Sequence, residues 1–171
     1  AFESRSSFNA DLSKWDVSSV ENMNRMFKNA EDFNQDISNW NVASVTDMNR
    51  MFFNAEDFNQ VLSNWNVASV TDMYGMFEEA IAFNTDISGW DVSQVETMEE
   101  MFNGASSFNH FVGGWTEKEG LTTTFIFYGA TAFLAKYTSS SCGISAKPSE
   151  CRAPLTDGTF SSAITACLNE S

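Results

Sequence analysis

Hydrophobic positions recur along this chain with a period of 25 residues, fixed by Trp15, Trp40, Trp65, Trp90 and Trp115. The repeated string is F-N-x-D-(I/L)-S-x-W-x-V-x-x-V-x-x-M-x-x-M-F-x-x-A-x-x. Phe8, Phe33, Phe58, Phe83, Phe108 and Phe133 form one column, Val17, Val42, Val67 and Val92 a second, and Val20, Val45, Val70 and Val95 a third. Every methionine keeps the register: Met23, Met48, Met73 and Met98 share one position, and Met26, Met51, Met76 and Met101 another, each followed by Phe27, Phe52, Phe77 or Phe102. Such a unit cannot bury its apolar side alone, whereas stacked copies cover one another, so the period predicts one elongated solenoid with a continuous core.

Within each copy V-x-x-M-x-x-M-F-x-x-A has the stripe of a short amphipathic helix, and Ser44 with Asp47 and Ser69 with Asp72 have the spacing of a capping box. Ahead of it, W-x-V alternates with polar residues, so Trp40 and Val42 point inward and Asn39 and Asn41 outward, as in a brief strand. One strand and one short helix per coil predicts an α/β fold, a leucine-rich-repeat-like solenoid of 25-residue coils. Strand spacing of roughly 4.8 Å would make five coils about 25 Å long.

Phe-Asn-Gln-Asp-Ile-Ser-x-Trp-x-Val at 33–42 and Val-x-x-Met-x-x-Met-Phe at 45–52 resemble the BspA-like leucine-rich repeat surface proteins, a family also described as the mycoplasma lipoprotein repeat. The resemblance covers residues 8 to about 133. It implies a leucine-rich-repeat solenoid, display at the cell surface or outside the cell, and adhesion or partner binding, with no catalytic residues to carry over.

The ends divide the chain. Phe2 and Phe8 fit the columns of Phe27 and Phe33, so residues 1–7 read as an incomplete repeat with a portion expected upstream. After Trp115 the pattern decays, and 108–137 reads as a degenerate capping coil closing a solenoid over 1–137. Residues 138–171 carry Cys142, Pro148, Cys151 and Pro154, the marks of a linker, then Phe160, Ala163, Ile164, Cys167 and Leu168 at helical spacing, expected to open a further module. Cys142 and Cys151 could close a local disulfide in an oxidising compartment, leaving Cys167 for another partner; three reduced thiols are the alternative.

A net charge of −14 excludes nucleic acid and anionic membrane surfaces, which need clustered Lys and Arg. No apolar run approaches the roughly 20 residues of a membrane span, so direct insertion is not expected. The acidity is uneven: Arg25 and Arg50 give way to Gly75 and Glu100, and Lys28 to Glu78, making an acidic strip of Glu78, Glu79, Glu99 and Glu100. Asp11, Asp36 and Asp86, interrupted by Val61, form a ladder whose carboxylates are a weak calcium candidate, without an EF-hand or glycine-rich nonapeptide motif. No other metal, cofactor or catalytic constellation is read; His110 is the only histidine, and no phosphate loop, nucleophile elbow or H-E-x-x-H occurs. An enzyme is therefore not expected.

Recognition falls to the outward positions of the predicted strand: Lys14, Asn39, Asn64 and Gly89 in one column, Asp16, Asn41, Asn66 and Asp91 in the next. Short polar side chains there suit a flat contact with protein or carbohydrate, and arginine at Asn41 and Asn66 is expected to block it without lowering stability. The expected function is a non-catalytic extracellular recognition or adhesion module. The alternative is a structural building block that self-associates, with or without bridging calcium, into an extracellular coat or filament.

Overall fold

The computed structural model describes residues 1–113, 115 and 120–137. The 25-residue coils stack in register, but they contain neither of the two elements expected. Among the described residues there is one α-helix, α1, Thr131–Tyr137, and no sheet, only isolated parallel bridges joining Asn22, Asp47, Asp72, Thr97 and Thr122 in sequence. The α/β reading is thus corrected: each coil is a chain of turns.

The coil from 33 to 57 shows why turns suffice. Between Met48 and Ala55 the N–H groups alternate in direction. Those of Met48, Arg50, Phe52 and Asn54 donate along the stack to the carbonyls of Asp72, Tyr74, Met76 and Glu78 at 2.8–2.9 Å, while those of Met51, Phe53 and Ala55 close turns on Met48, Arg50 and Phe52 at 3.1–3.2 Å. The N–H of Asn49 goes to Asp47 Oδ1 at 2.9 Å. Every backbone donor in the segment is therefore paired without an i→i−4 bond, which removes the need for a helix. Arg50 and Asn54 sit at φ of 51° and 52°, and the same two columns are left-handed in the other coils, at Arg25 and Asn29, Gly75 and Glu79, Glu100 and Gly104, Phe125 and Gly129. A left-handed residue every fourth position breaks a right-handed helix, yet it returns the apolar side chains to one side at the spacing a helix would give. The parallel bridges fall beside this segment, and not at W-x-V.

Trp40 and Val42 do point inward and Asn39 and Asn41 outward, but through turns closed by Trp40 N–H on Ile37 O (3.1 Å) and Val45 N–H on Val42 O (2.9 Å). Ser44 caps no helix: its hydroxyl donates to Ser18 O one coil back, at 2.8 Å.

The core is continuous. In the coil from 33 to 57, Phe33, Ile37, Trp40, Val42, Val45, Met48, Met51, Phe52 and Ala55 are all at most 4 % exposed. The two phenylalanine columns form a double stack: Phe52 and Phe58 lie 3.9 Å apart within the turn, and Phe52 reaches Phe77 at 5.6 Å along the axis with a 1° interplanar angle. Each buried indole is tied to the coil before it, Trp40 Nε1 donating to Leu12 O, Trp65 to Ile37 O, Trp90 to Leu62 O and Trp115 to Ile87 O at 3.0–3.3 Å. Trp15, the first of the column, is 48 % exposed. The degenerate stretch after Trp115 regains the pattern at Ile126, Ala130 and Phe133, all buried, and the chain then enters α1. The C-terminal helical pattern at 160–168 and the cysteine pairing lie outside the described residues.

Non-glycine residues in the left-handed region carry backbone strain of roughly 1–2 kcal/mol each. Glu79, at φ 57° and exposed, is one of them. Glu79→Gly is expected to stabilise the protein by about 1 kcal/mol despite the added freedom of the unfolded chain, and a denaturation midpoint that did not rise would contradict this.

Candidate functional site

Because the coils are in register, side chains of one column form rows along the stack. Asn39, Asn41, Asn64 and Asn66 are exposed in two adjacent rows beside the buried Trp40 and Trp65. Lys14 and Asp16 continue the rows at one end, Gly89 and Asp91 at the other, all exposed. The second row also has structural work to do. Asp16, Asn41, Asn66 and Asp91 each accept, through Oδ1, the N–H two residues ahead, on Ser18, Ala43, Ala68 and Ser93, at 3.0–3.2 Å. These are Asx turns, and they explain why the column is confined to Asp and Asn. The expectation that arginine at Asn41 and Asn66 leaves stability unchanged is therefore revised, since it removes two turn acceptors. Asn39 and Asn64 make no such bond and are the cleaner positions for a test.

Asp11, Asp36 and Asp86 are engaged in the same way, with the N–H groups of Ser13, Ser38 and Ser88 at 2.8–3.0 Å. Hydrogen bonds from these serines hold the three carboxyls below the ordinary aspartate range, and serines do the same at Asp16 and Asp91. One oxygen of each carboxylate is thus committed to its own turn. Among the described residues no group of three or more His, Cys, Asp or Glu side chains is placed to hold a metal ion. Val61, which interrupts the ladder, is 53 % exposed. The asparagines beside the ladder make a ladder of their own, Asn9, Asn34 and Asn59 each accepting through Oδ1 the N–H of the next asparagine at 2.9–3.1 Å.

The four glutamates read as an acidic strip separate into two pairs. Glu78 and Glu100 turn toward Arg50, whose guanidinium reaches Glu78 Oε2 at 3.4 Å and Glu100 Oε2 at 3.6 Å. Arg50 also lies over Phe53 at 5.2 Å and Tyr74 at 4.8 Å, and Tyr74 donates to Glu100 at 2.6 Å. Gly75 makes room for this, because a Cβ there would stand 2.8 Å from Glu78 Oε2 and 3.2 Å from Arg50 Cγ. Arg50 Nε and Glu78 Oε2 are buried and contact each other as charges without hydrogen-bond alignment. Burial raises the Glu78 carboxyl above the ordinary glutamate range, Glu100 adds to the rise and Arg50 opposes it; the bond to Glu100 raises the Tyr74 hydroxyl. Glu79 is exposed and Glu99 half-buried. The group formed by Arg50, Tyr74, Glu78 and Glu100, which spans three coils, was not legible as a unit. Its only sequence signal is that Tyr74, Glu78 and Glu100, with Gly75 and Phe53, depart from their columns in neighbouring copies, whereas Arg50 repeats Arg25.

The molecule is a repeat protein of stacked turn coils that presents rows of side chains, one from each coil. The family model described as "Mycoplasma protein of unknown function, DUF285" matches residues 1–67 and 40–140, and the chain belongs to this family. Neither the curated proteins nor the solved structures contain a match. Among the described residues no helix is long and apolar enough to cross a membrane.

Proposed function

We propose that this chain is a non-catalytic extracellular recognition module that binds protein or carbohydrate through the rows centred on Asn39, Asn41, Asn64 and Asn66. The observation that carries the reading is the patch itself: four exposed, uncharged carboxamides on two successive coils of a protein with net charge −14. The backbone beneath them is fixed by turns and by the buried indoles of Trp40 and Trp65, so little side-chain or loop order is lost on contact. Carboxamides donate and accept at once, which suits the hydroxyls of a sugar or the edge of a peptide. The resemblance of the columns to BspA-like surface proteins supports adhesion as the setting and the cell surface as the place.

The test is a binding screen of the whole chain against immobilised glycans and surface proteins, repeated with Asn39→Arg/Asn64→Arg. Binding should fall at least about tenfold with an unchanged melting temperature, since the Asx turns stay intact. Binding that survives at full strength overturns the assignment to this face.

A further inference from the structure

We propose that the part of the binding face where Gly89 interrupts the outward row is a subsite for a neutral carbohydrate, with Asn64, Asn66 and Asp91 around it. The inference rests on the face assigned above and names its ligand and the place of closest approach. Lys14, Asn39, Asn64 and Gly89 occupy one column, and Gly89 is exposed. Nothing in the fold requires glycine there. Its φ lies outside the left-handed region occupied by Gly75, Gly104, Gly120 and Gly129, and a Cβ added to it would meet no atom within 4 Å. Glycine costs conformational freedom on folding, and neither strain nor packing offsets that cost here. What the missing side chain does provide is room for a ligand to reach the backbone.

The groups beside this opening have fixed hydrogen-bonding roles. Asp91 Oδ1 accepts the N–H of Ser93 at 3.0 Å, and the Ser93 hydroxyl and N–H hold the carboxyl below the ordinary aspartate range, so its other oxygen remains an ionised acceptor. Asn66 Oδ1 takes the N–H of Ala68 at 3.2 Å, which directs its two Nδ2 donors away from that turn. Asn64, whose carboxamide closes no turn, offers both a donor and an acceptor. The backbone between them is held by Trp90, whose N–H closes on Ile87 O at 3.1 Å and whose Nε1 reaches Leu62 O at 3.0 Å. An acceptor and donors around a gap without a side chain match adjacent sugar hydroxyls, each of which donates one bond and accepts another. A protein partner would need an aromatic or arginine anchor, and this part of the rows exposes none, since Trp65 and Trp90 are buried. The net charge of −14 and the Asp91 carboxylate disfavour uronates and sulfated glycans, which leaves a neutral one.

Two substitutions separate binding at this place from folding. Gly89→Asn extends the column of Asn39 and Asn64 into open space and should melt at or above the wild-type temperature. Asp91→Asn keeps the turn acceptor that Asn41 and Asn66 supply in their own coils and removes only the charge. The whole chain, these two variants and Asn39→Arg/Asn64→Arg are titrated on an array of immobilised neutral mannans, glucans, galactans and chitin oligosaccharides, with sulfated and uronate glycans and surface proteins alongside. Wild type should bind a neutral glycan, and Gly89→Asn and Asp91→Asn should each weaken that binding at least about tenfold. If both bind as wild type does, the subsite is overturned, and a loss confined to Asn39→Arg/Asn64→Arg leaves the face itself standing. Full binding by all three variants overturns the face as well. Binding to proteins or acidic glycans alone, or to no neutral glycan on the array, overturns the carbohydrate assignment.

Discussion

Trp65→Ala should remove about 3–5 kcal/mol of stability, the largest loss expected from one substitution in the middle coil. The indole is 3 % exposed, so its replacement leaves a cavity in a core that cannot collapse locally, because the coils on both sides are held in register by backbone bonds. The loss also includes the bond from Nε1 to Ile37 O at 3.1 Å and the packing against Trp40, whose ring lies parallel at 6.5 Å. Trp65→Phe retains much of the volume and should cost less, on the order of 1–3 kcal/mol. Chemical denaturation of the two variants separates the terms. Since each coil is stabilised mainly by its neighbours, the Trp65→Ala transition should also broaden as the halves on either side lose coupling. An unchanged curve would mean the indole column does not hold the stack together.

Arg50→Ala should cost about 2 kcal/mol near neutral pH, with a loss that depends on pH. The substitution leaves Glu78 and Glu100, with side chains 13 % and 25 % exposed, facing each other without their cation. Partial exposure keeps the figure below that of a fully buried pair. Glu78 sets the direction of the pH effect. Its carboxyl already lies above the ordinary glutamate value, first because of burial and second because of Glu100, and the opposing pull of Arg50 is lost in the variant. A carboxyl raised in the folded state adds stability below its unfolded value, and that contribution is lost as pH rises through the folded value. The deficit of Arg50→Ala should thus be largest near pH 7 and shrink as pH falls toward the ordinary glutamate value of 4.5. Arg50→Lys, which keeps the charge but not the planar contact with Phe53 and Tyr74, should fall between wild type and alanine. Thermal melts of the three proteins across this range would check the ordering, and a deficit independent of pH would remove Glu78 from the account.

The columns were legible because burial in a stacked repeat acts on each position of the period in the same way. Phe33, Trp40, Met48 and Phe52 each occupy the place that their spacing demands. Element type was not legible, because V-x-x-M-x-x-M-F-x-x-A satisfies two backbones at once. A right-handed helix and a run of turns with a left-handed residue every fourth position return the same side chains to the core. Asn29, Asn54 and Gly104 hint at the second, but Arg25, Arg50 and Glu100 in the companion column do not, since arginine and glutamate have no preference for positive φ. At the proposed binding rows, outward direction could be read from the alternation around Trp40. The turn duty of Asn41 and Asn66 was hidden, because a side chain that accepts its own backbone N–H has the same identity as one that faces a ligand.

The sequence alone therefore determined the 25-residue period, the columns from which the core is built and the net negative charge, because each follows from residue identity repeated in register, while Trp15 at the end of its column stays exposed. Only the tertiary structure decided how the backbone donors are paired, along the stack and not along a helix, and which glutamates Arg50 neutralises. Those outcomes depend on contacts between residues about 25 positions apart, whose geometry exists only once the coils have stacked.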